Sequence, residues 1–411
     1  MVLKGVKVVE FAEGAAGPLA ATRLADLGAA VIKIETAEGD WMRRAVPAMS
    51  QDAMSASFFH LNRGKRSLAL GHRPAEAVPL LRALLAAADV FITDRDADEL
   101  KRFGIGAVSD GVYADNPRLV SVHVSPLGRK GPMARQRGSE LTVQAMAGYT
   151  RYLGTQEQPP LRLGADVAST GTGIFAAQAV LAALYRRNRD GRGQRVDLSL
   201  LNSLLSMKSI HLAAQSDPDV YSGPRVGGAN NPPERGWKTA DKPIFFAFGG
   251  SVGAEGRAGW VDFVKEAGFS RLLDDPRFDK TGRTTTGHGI RVHEVREEYE
   301  KEFARFPSEA LVSLIRKHAG NVAAYMSADE TMAHPQTAAL GIVNEVETRE
   351  GHKTRVRAFP ARFSRLKPQT KGRAPDLGEQ TEAIAAEAGI TGPAFRKMVE
   401  SGGLLPRAGD A

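Results

Sequence analysis

Cysteine is absent from the 411 residues, so disulfides, thiolate metal sites and a cysteine nucleophile are all excluded. Long apolar runs are missing too. The longest fall short of the ~20 residues that a membrane span needs, so no membrane partner is expected. The start, MVLKGVKVVEF, runs straight into strand-like sequence without an apolar signal core, which makes a cytoplasmic location the expectation. The nine histidines include no H-E-x-x-H and no pair at metal spacing, so no metal is expected. Internal repeats and low-complexity segments are lacking. Charge is present but not clustered. Lys and Arg exceed Asp and Glu by 55 to 47, giving a net charge of +8, yet no block of five basic residues occurs. Nucleic acid is therefore not the expected partner, and a phosphate-bearing small molecule suits the basic balance better.

What is present centres on Pro160 to Leu205. A loop rich in small residues, Leu161 to Gly171, leads into an apolar helix expected over about Thr172 to Arg187, where Ile174, Phe175, Ala177, Val180, Leu181 and Leu184 recur at spacings of three and four. Ser169 or Thr170 is placed to cap it. Arg186, Arg187 and Arg189 lie where the helix dipole favours positive charge. The turn Asp190-Gly191-Arg192-Gly193 and a strand from Gln194 to Leu198 follow. A helix start beside such a loop offers N–H groups to an anion or a developing oxyanion. On this segment alone the more common reading is a helix start in an ordinary βα core, with small residues for close packing.

The N-terminal part reads as alternating strands and helices. Val6 to Phe11 is a strand, a small-residue loop runs from Ala12 to Gly17, a helix with Pro18 near its start ends at Gly28, and Ala30 to Glu35 is the next strand. The loop lacks G-x-G-x-x-G spacing, which makes a nicotinamide site a weak reading. Further strands are expected at Asp89 to Thr93 and Leu119 to Val124, with a helix from about Pro74 to Ala87 and another from Leu141 to Gly148. This alternation argues for an open parallel sheet covered on both faces, an α/β Rossmann-like large domain. From about Asp217 to Trp237 glycine and proline dominate, as in a linker or long functional loop. A smaller α+β unit is expected after it.

The segments LKGVKVVEF, AAGPLAATRLADLGAAVIKIE, NRGKRSLAL, ADVFITD, LKRFGI, NPRLVSVHVSPLGRKGP, FAAQAVLAAL, RRNRDGRGQRVDLSLLNS, DDPRF and PDLGEQT occur in an order that resembles the class III CoA-transferases, the group containing formyl-CoA transferase and carnitine CoA-transferase. That resemblance implies a large CoA-binding domain built from residues 1–205 and completed by 331–411, a linker at 206–224, and a small domain at 225–330. It implies an interlocked dimer. It also implies an acyl-CoA as substrate and a carboxylic acid as acceptor. An enzyme carboxylate would take the acyl group as an anhydride and then hold CoA as a thioester.

Laid on this chain, the resemblance puts the family's catalytic aspartate at Ser169. Serine is a poor stand-in, because its acyl ester is far less reactive than an anhydride. Glu140 matches the family's acidic residue, while Ser139 replaces its loop tyrosine. Asp166, three residues before Ser169, could share a helical face with it and act as a displaced nucleophile; the commoner role for such a residue is a loop or capping aspartate. Alternatively the chain is the CoA-binding subunit of a heteromer whose partner carries the acid. CoA contacts implied by the resemblance fall on Ala15 and Ala16 and on Lys65, Arg66 and Leu70. Further contacts are Arg73, Arg102 and Arg137, whose charge suits phosphate. Asp94 and Arg95 replace an Asn-Phe-Gly stretch near the nucleotide. The family's glycine lid corresponds to Gly227 and Gly228.

Overall fold

The computed structural model describes residues 1–47, 54–105, 115–150, 160–208, 216, 236–248, 255–275, 292–370 and 372–406. The chain divides into two units. Unit 1 holds residues 1–147, 163–209 and 336–411, and unit 2 holds 148–162 and 210–335.

Unit 1 begins with β1 (Lys7–Phe11), α1 (Ala16–Asp26), β2 (Ala30–Glu35), α2 (Ala56–Asn62), β3 (Arg66–Ala69), α3 (Val78–Ala86), β4 (Val90–Thr93), α4 (Ala97–Arg102) and β5 (Val120–Ser125). It continues through α5 (Glu140–Met146), α6 (Val167–Asp190), β6 (Arg195–Ser199) and α7 (Leu200–Ser206). The six strands form one parallel sheet in the order β3-β2-β1-β4-β5-β6. Its central strands are buried on both faces: all of β4, VFIT, and all but the last residue of β5 lie in the core, as helix cover on both sides requires. The fold is thus the mixed α/β architecture with a parallel sheet that the alternation of segments implies.

The order reverses between β1 and β4, so the loops following these two strands flank a crevice at the carboxyl edge, the place where doubly wound sheets take ligands. One is the small-residue loop before α1. The other carries Asp94 and Arg95.

Helix α6 is the long central element. It is a full turn longer at its start than the periodicity implies, beginning at Val167 rather than near Thr172. At 24 residues it is long and apolar enough to cross a bilayer by length and composition, against the expectation from the apolar runs. Half of that apolar stretch is buried within the chain, much of it on α1. The approach is close because of Gly173: a Cβ there would lie 2.8 Å from the Ala16 carbonyl and 2.9 Å from the Leu19 Cβ.

Beneath the loop before α1 lies a buried charge network. Lys33 Nζ donates to Glu10 Oε1 at 3.0 Å and to the Ala12 carbonyl at 2.7 Å, and sits 2.9 Å from Asp40 Oδ2. Asp40 in turn accepts from the Gly14 N–H at 3.1 Å. These bonds fix the loop's path. Beside them Arg63 clamps Asp26 through both nitrogens, at 2.6 and 3.0 Å.

Unit 2 contains β7 (Ile244–Ala247), α8 (Glu255–Glu266), α9 (Val292–Phe303), α10 (Ser308–Lys317) and β8 (Asn321–Ala324), with β7 and β8 antiparallel. Its core is aromatic. Trp237, Phe246, Phe248, Trp260, Phe263, Tyr299 and Phe303 are all buried, and the Trp260 indole N–H donates to Tyr299 Oη at 2.6 Å. Trp237 and Trp260 therefore fill a core.

The C-terminal part of unit 1 adds an antiparallel hairpin, β9 (Val343–Glu347) with β10 (Lys353–Arg357), and the helices α11 (Thr381–Glu387) and α12 (Gly392–Glu400). Ile384, Phe395 and Leu404 from this tail join the core with Val9, Phe11 and Leu68 of the sheet.

Candidate functional site

The site forms where α5 meets the start of α6. The first N–H groups of a helix have no partner within it. Asp166 stands at the N-cap position of α6 but does not cap it with its side chain. The acceptor comes instead from α5. Glu140 Oε1 accepts from the Ala168 N–H at 2.8 Å, and Oε2 accepts from the Ser169 N–H at 2.8 Å and from the Ser169 hydroxyl at 2.7 Å. Because a glutamate 29 residues away satisfies these donors, the chain needs no local Ser or Thr cap. That is why the helix starts earlier than the sequence implies, with Ser169 inside its first turn rather than capping it. The same bonds correct a second expectation: the amides offered to an oxyanion are occupied by a carboxylate of the chain itself.

Gln144, one turn after Glu140 on α5, completes the arrangement. Its side-chain N–H groups donate to Glu140 Oε1 at 2.8 Å and to the Ala165 carbonyl at 3.3 Å, while its Oε1 accepts from the Leu163 N–H at 3.3 Å. It is fully buried. The sequence reading missed it, although the i, i+4 spacing of Glu140 and Gln144 on one helix was the available signal. Ser139, which the resemblance sets at a tyrosine position, caps α5 by accepting from the Thr142 N–H.

Burial is the largest influence on Glu140 and raises its pKa. Hydrogen bonds from Gln144, the Ser169 hydroxyl and the amides of Ala168 and Ser169 outweigh it and hold the carboxyl below its ordinary value. Glu140 is a half-buried carboxylate. Asp166 is exposed and has non-helical backbone angles, φ −82° and ψ 68°, so it does not share a helical face with Ser169 as the spacing suggested.

The residues assigned to CoA differ in exposure. Arg73, Arg102 and Arg137 are exposed, with Arg102 in the last turn of α4. Arg66 is partly exposed and pairs with Glu387 at 2.8 Å. Lys65 is elsewhere altogether. Its Nζ donates to Glu10 Oε2 at 2.6 Å, to Asn62 Oδ1 at 2.8 Å and to the Pro18 carbonyl at 3.0 Å, and the residue is buried. Burial pulls its pKa down to about 8 despite Glu10. Its charge belongs to the core network and has no surface to offer a phosphate. Leu70 is likewise sealed, bridged to Leu404.

Ala15 and Ala16 begin α1, the first at its N-cap position. At the sheet's crevice, Asp94 accepts the Glu13 N–H at 2.9 Å, and Arg95 pairs with Glu13 while its guanidinium lies over the Phe11 ring, 5.1 Å from the centroid. Burial pushes the Asp94 carboxyl up to about 7, against the pull of Arg95. Gly227 and Gly228 lie outside the described residues. Among the described residues no three His, Asp or Glu side chains are grouped to hold a metal ion.

Known proteins share the sequence and the fold of this chain. A model of CoA-transferase family III matches residues 3–381. The chain is 31% identical to a succinate–glutarate CoA-transferase of Agrobacterium fabrum over 396 residues, covering 94% of this chain and 95% of that one. It is 30% identical to a formyl-CoA:oxalate CoA-transferase of Streptomyces avermitilis over 299 residues, covering 67% and 69%. Among solved structures, a CAIB/BAIF family protein from Brucella suis superposes with a TM-score of 0.81 at 27% identity, covering 94% of this chain and 98% of that one.

Proposed function

The chain belongs to CoA-transferase family III, and from that premise we propose that it takes CoA from an acyl-CoA and passes it to a free carboxylic acid at the junction of α5 and α6. The observation that carries this reading is the Glu140 carboxylate seated on the amides of Ala168 and Ser169. Family chemistry needs an enzyme carboxylate at the start of this helix, and one is there although residue 169 is serine. The similarity to a succinate–glutarate transferase along nearly the whole of both chains supports short dicarboxylic acids as the acceptor class. Arg73, Arg102 and Arg137 are the cations we assign to the CoA phosphates, because each is exposed and free of the core network that claims Lys65.

A second reading rests on Ser169 itself. A hydroxyl tied to Glu140 is no substitute for the family's aspartate, so this chain would be the CoA-binding half of a heteromer. One experiment separates the two. The purified chain is given succinyl-CoA with glutarate, and formyl-CoA with oxalate, and formation of the new thioester is followed by chromatography. Turnover by the chain alone is expected. Turnover only after a homologue bearing the aspartate is added establishes the heteromer.

A further inference from the structure

Resting on the CoA-transfer reading, we infer that Glu140 is the catalytic carboxylate of this chain: it carries first the acyl group and then CoA, in place of residue 169. Three observations converge on it. Among the described residues, Glu140 is the acid whose carboxylate reaches the first turn of α6, through three bonds of 2.7 to 2.8 Å. It is only half buried, so a thioester can approach it. Asp166, the other acid nearby in sequence, stands exposed outside the helix.

The donors around Glu140 fit this role once the whole reaction is followed. First, a Glu140 oxygen attacks the acyl carbon of the donor, forming a C–O bond and breaking the C–S bond. The products are a mixed anhydride and CoA thiolate. The thiolate then attacks the Glu140 carbonyl carbon and expels the donor acid as its carboxylate, leaving CoA as a Glu140 thioester. In that tetrahedral state the negative charge sits on the remaining Glu140 oxygen. Each oxygen already has its own pair of donors, the Ala168 N–H and the Gln144 amide on Oε1 and the Ser169 N–H and hydroxyl on Oε2, so whichever oxygen remains has two donors to hold that charge with no rearrangement. The acceptor carboxylate next attacks the same carbon through the same oxyanion, releasing thiolate and forming a new anhydride. Attack of the thiolate on the acceptor's carbonyl carbon yields the product thioester and restores Glu140.

The donors weaken Glu140 as a nucleophile in the first step. They assist both steps in which Glu140 is the electrophile. Serine at 169 belongs to this arrangement: an aspartate there would set a second negative charge against Glu140, whereas the hydroxyl donates to it.

Oxygen isotope transfer tests the assignment. Because the acceptor's oxygen remains on the enzyme after the last step, an 18O-labelled acceptor leaves 18O in the catalytic carboxylate. Trypsin releases Gly138–Arg151, whose only acidic side chain is Glu140, and Leu163–Arg186, whose only acidic side chain is Asp166. The full chain is turned over with succinyl-CoA or formyl-CoA and 18O-glutarate or 18O-oxalate, and both peptides are weighed. The expected result is thioester exchange with 18O in the first peptide alone. Exchange with label in the second peptide, or in neither, overturns the assignment and leaves the transferase reading standing. Absence of exchange with every pair overturns both.

Discussion

Glu140 and Ser169 are joined twice: Oε2 of the carboxylate accepts both the backbone N–H of Ser169, at 2.8 Å, and its hydroxyl, at 2.7 Å. This pair, brought together across 29 residues of chain, makes the start of α6 a carboxylate site despite its serine. It separates two jobs that a sequence alone runs together, ordering the helix and carrying the chemistry.

Removing the hydroxyl should affect chemistry more than folding. Ser169→Ala keeps both amide bonds to Glu140 and deletes one donor. Thermal unfolding should shift by no more than about 1 kcal/mol, the net worth of one hydrogen bond. The rate of thioester exchange should fall by about 10² or more, the usual effect of losing an oxyanion donor. Unchanged exchange would show that the hydroxyl is only a structural contact.

The stability of α6 should depend on the charge of Glu140. Its folded pKa is lowered below the ordinary 4.5, so its contribution is present above that value and lost as pH falls through the folded value. Glu140→Gln should destabilise the chain near neutrality by about 1–2 kcal/mol, as for loss of a helix cap. Denaturant curves for the two proteins should converge as pH falls below the folded value. A gap that persists there would rule out an ionic role.

Asp94 carries the opposite sign. Burial raises its carboxyl from 3.8 to about 7, so the folded state binds more protons than the unfolded one between those values, and stability falls as pH rises through that window. Asp94→Asn keeps an acceptor for the Glu13 N–H and removes the penalty. It should stabilise the chain more at pH 8 than at pH 4, measured by unfolding at both.

How much of this was legible beforehand depends on how far apart the partners lie. Strands such as Val90–Thr93 announce themselves because a short run of β-branched and aromatic residues, VFIT, marks a strand buried on both faces. The helix at 167–190 shows its period but not its start, since its cap is supplied by Glu140 of a different helix. Lys65, in NRGKR, reads as a surface cation. Its partner Glu10 lies 55 residues earlier in the middle of an apolar strand, and only the sheet's pairing brings them together. In both cases a long-range polar contact overrides a local pattern.

Lys65 and Arg102 should accordingly fail in different ways. Lys65→Met removes the donor to Glu10 Oε2 and to its two carbonyl partners and should cost about 3 kcal/mol or more, with an unaltered KM for acyl-CoA in the protein that remains folded. Arg102→Ala, on the surface, should leave unfolding unchanged within about 0.5 kcal/mol. It should raise KM about tenfold, equivalent to about 1.4 kcal/mol. The reverse pattern would return Lys65 to the CoA site.

Close packing of α1 on α6 should tolerate no side chain at residue 173. Gly173→Ala gains about 1 kcal/mol in helix propensity, but its Cβ meets the Ala16 carbonyl at 2.8 Å, and overpacking of this kind costs about 1–3 kcal/mol. A net loss of stability is expected, together with slower exchange as the first turn of α6 shifts. A stabilised and fully active variant would contradict the close approach.

The most direct test of the account is the mass of the intact chain after incubation with acyl-CoA and acid quench. Wild type and Asp166→Asn should each carry a covalently bound CoA, and Glu140→Gln, shown to be folded by its unfolding curve, should carry none. Covalent CoA on folded Glu140→Gln, or turnover by wild type with no covalent CoA at any time, would contradict it.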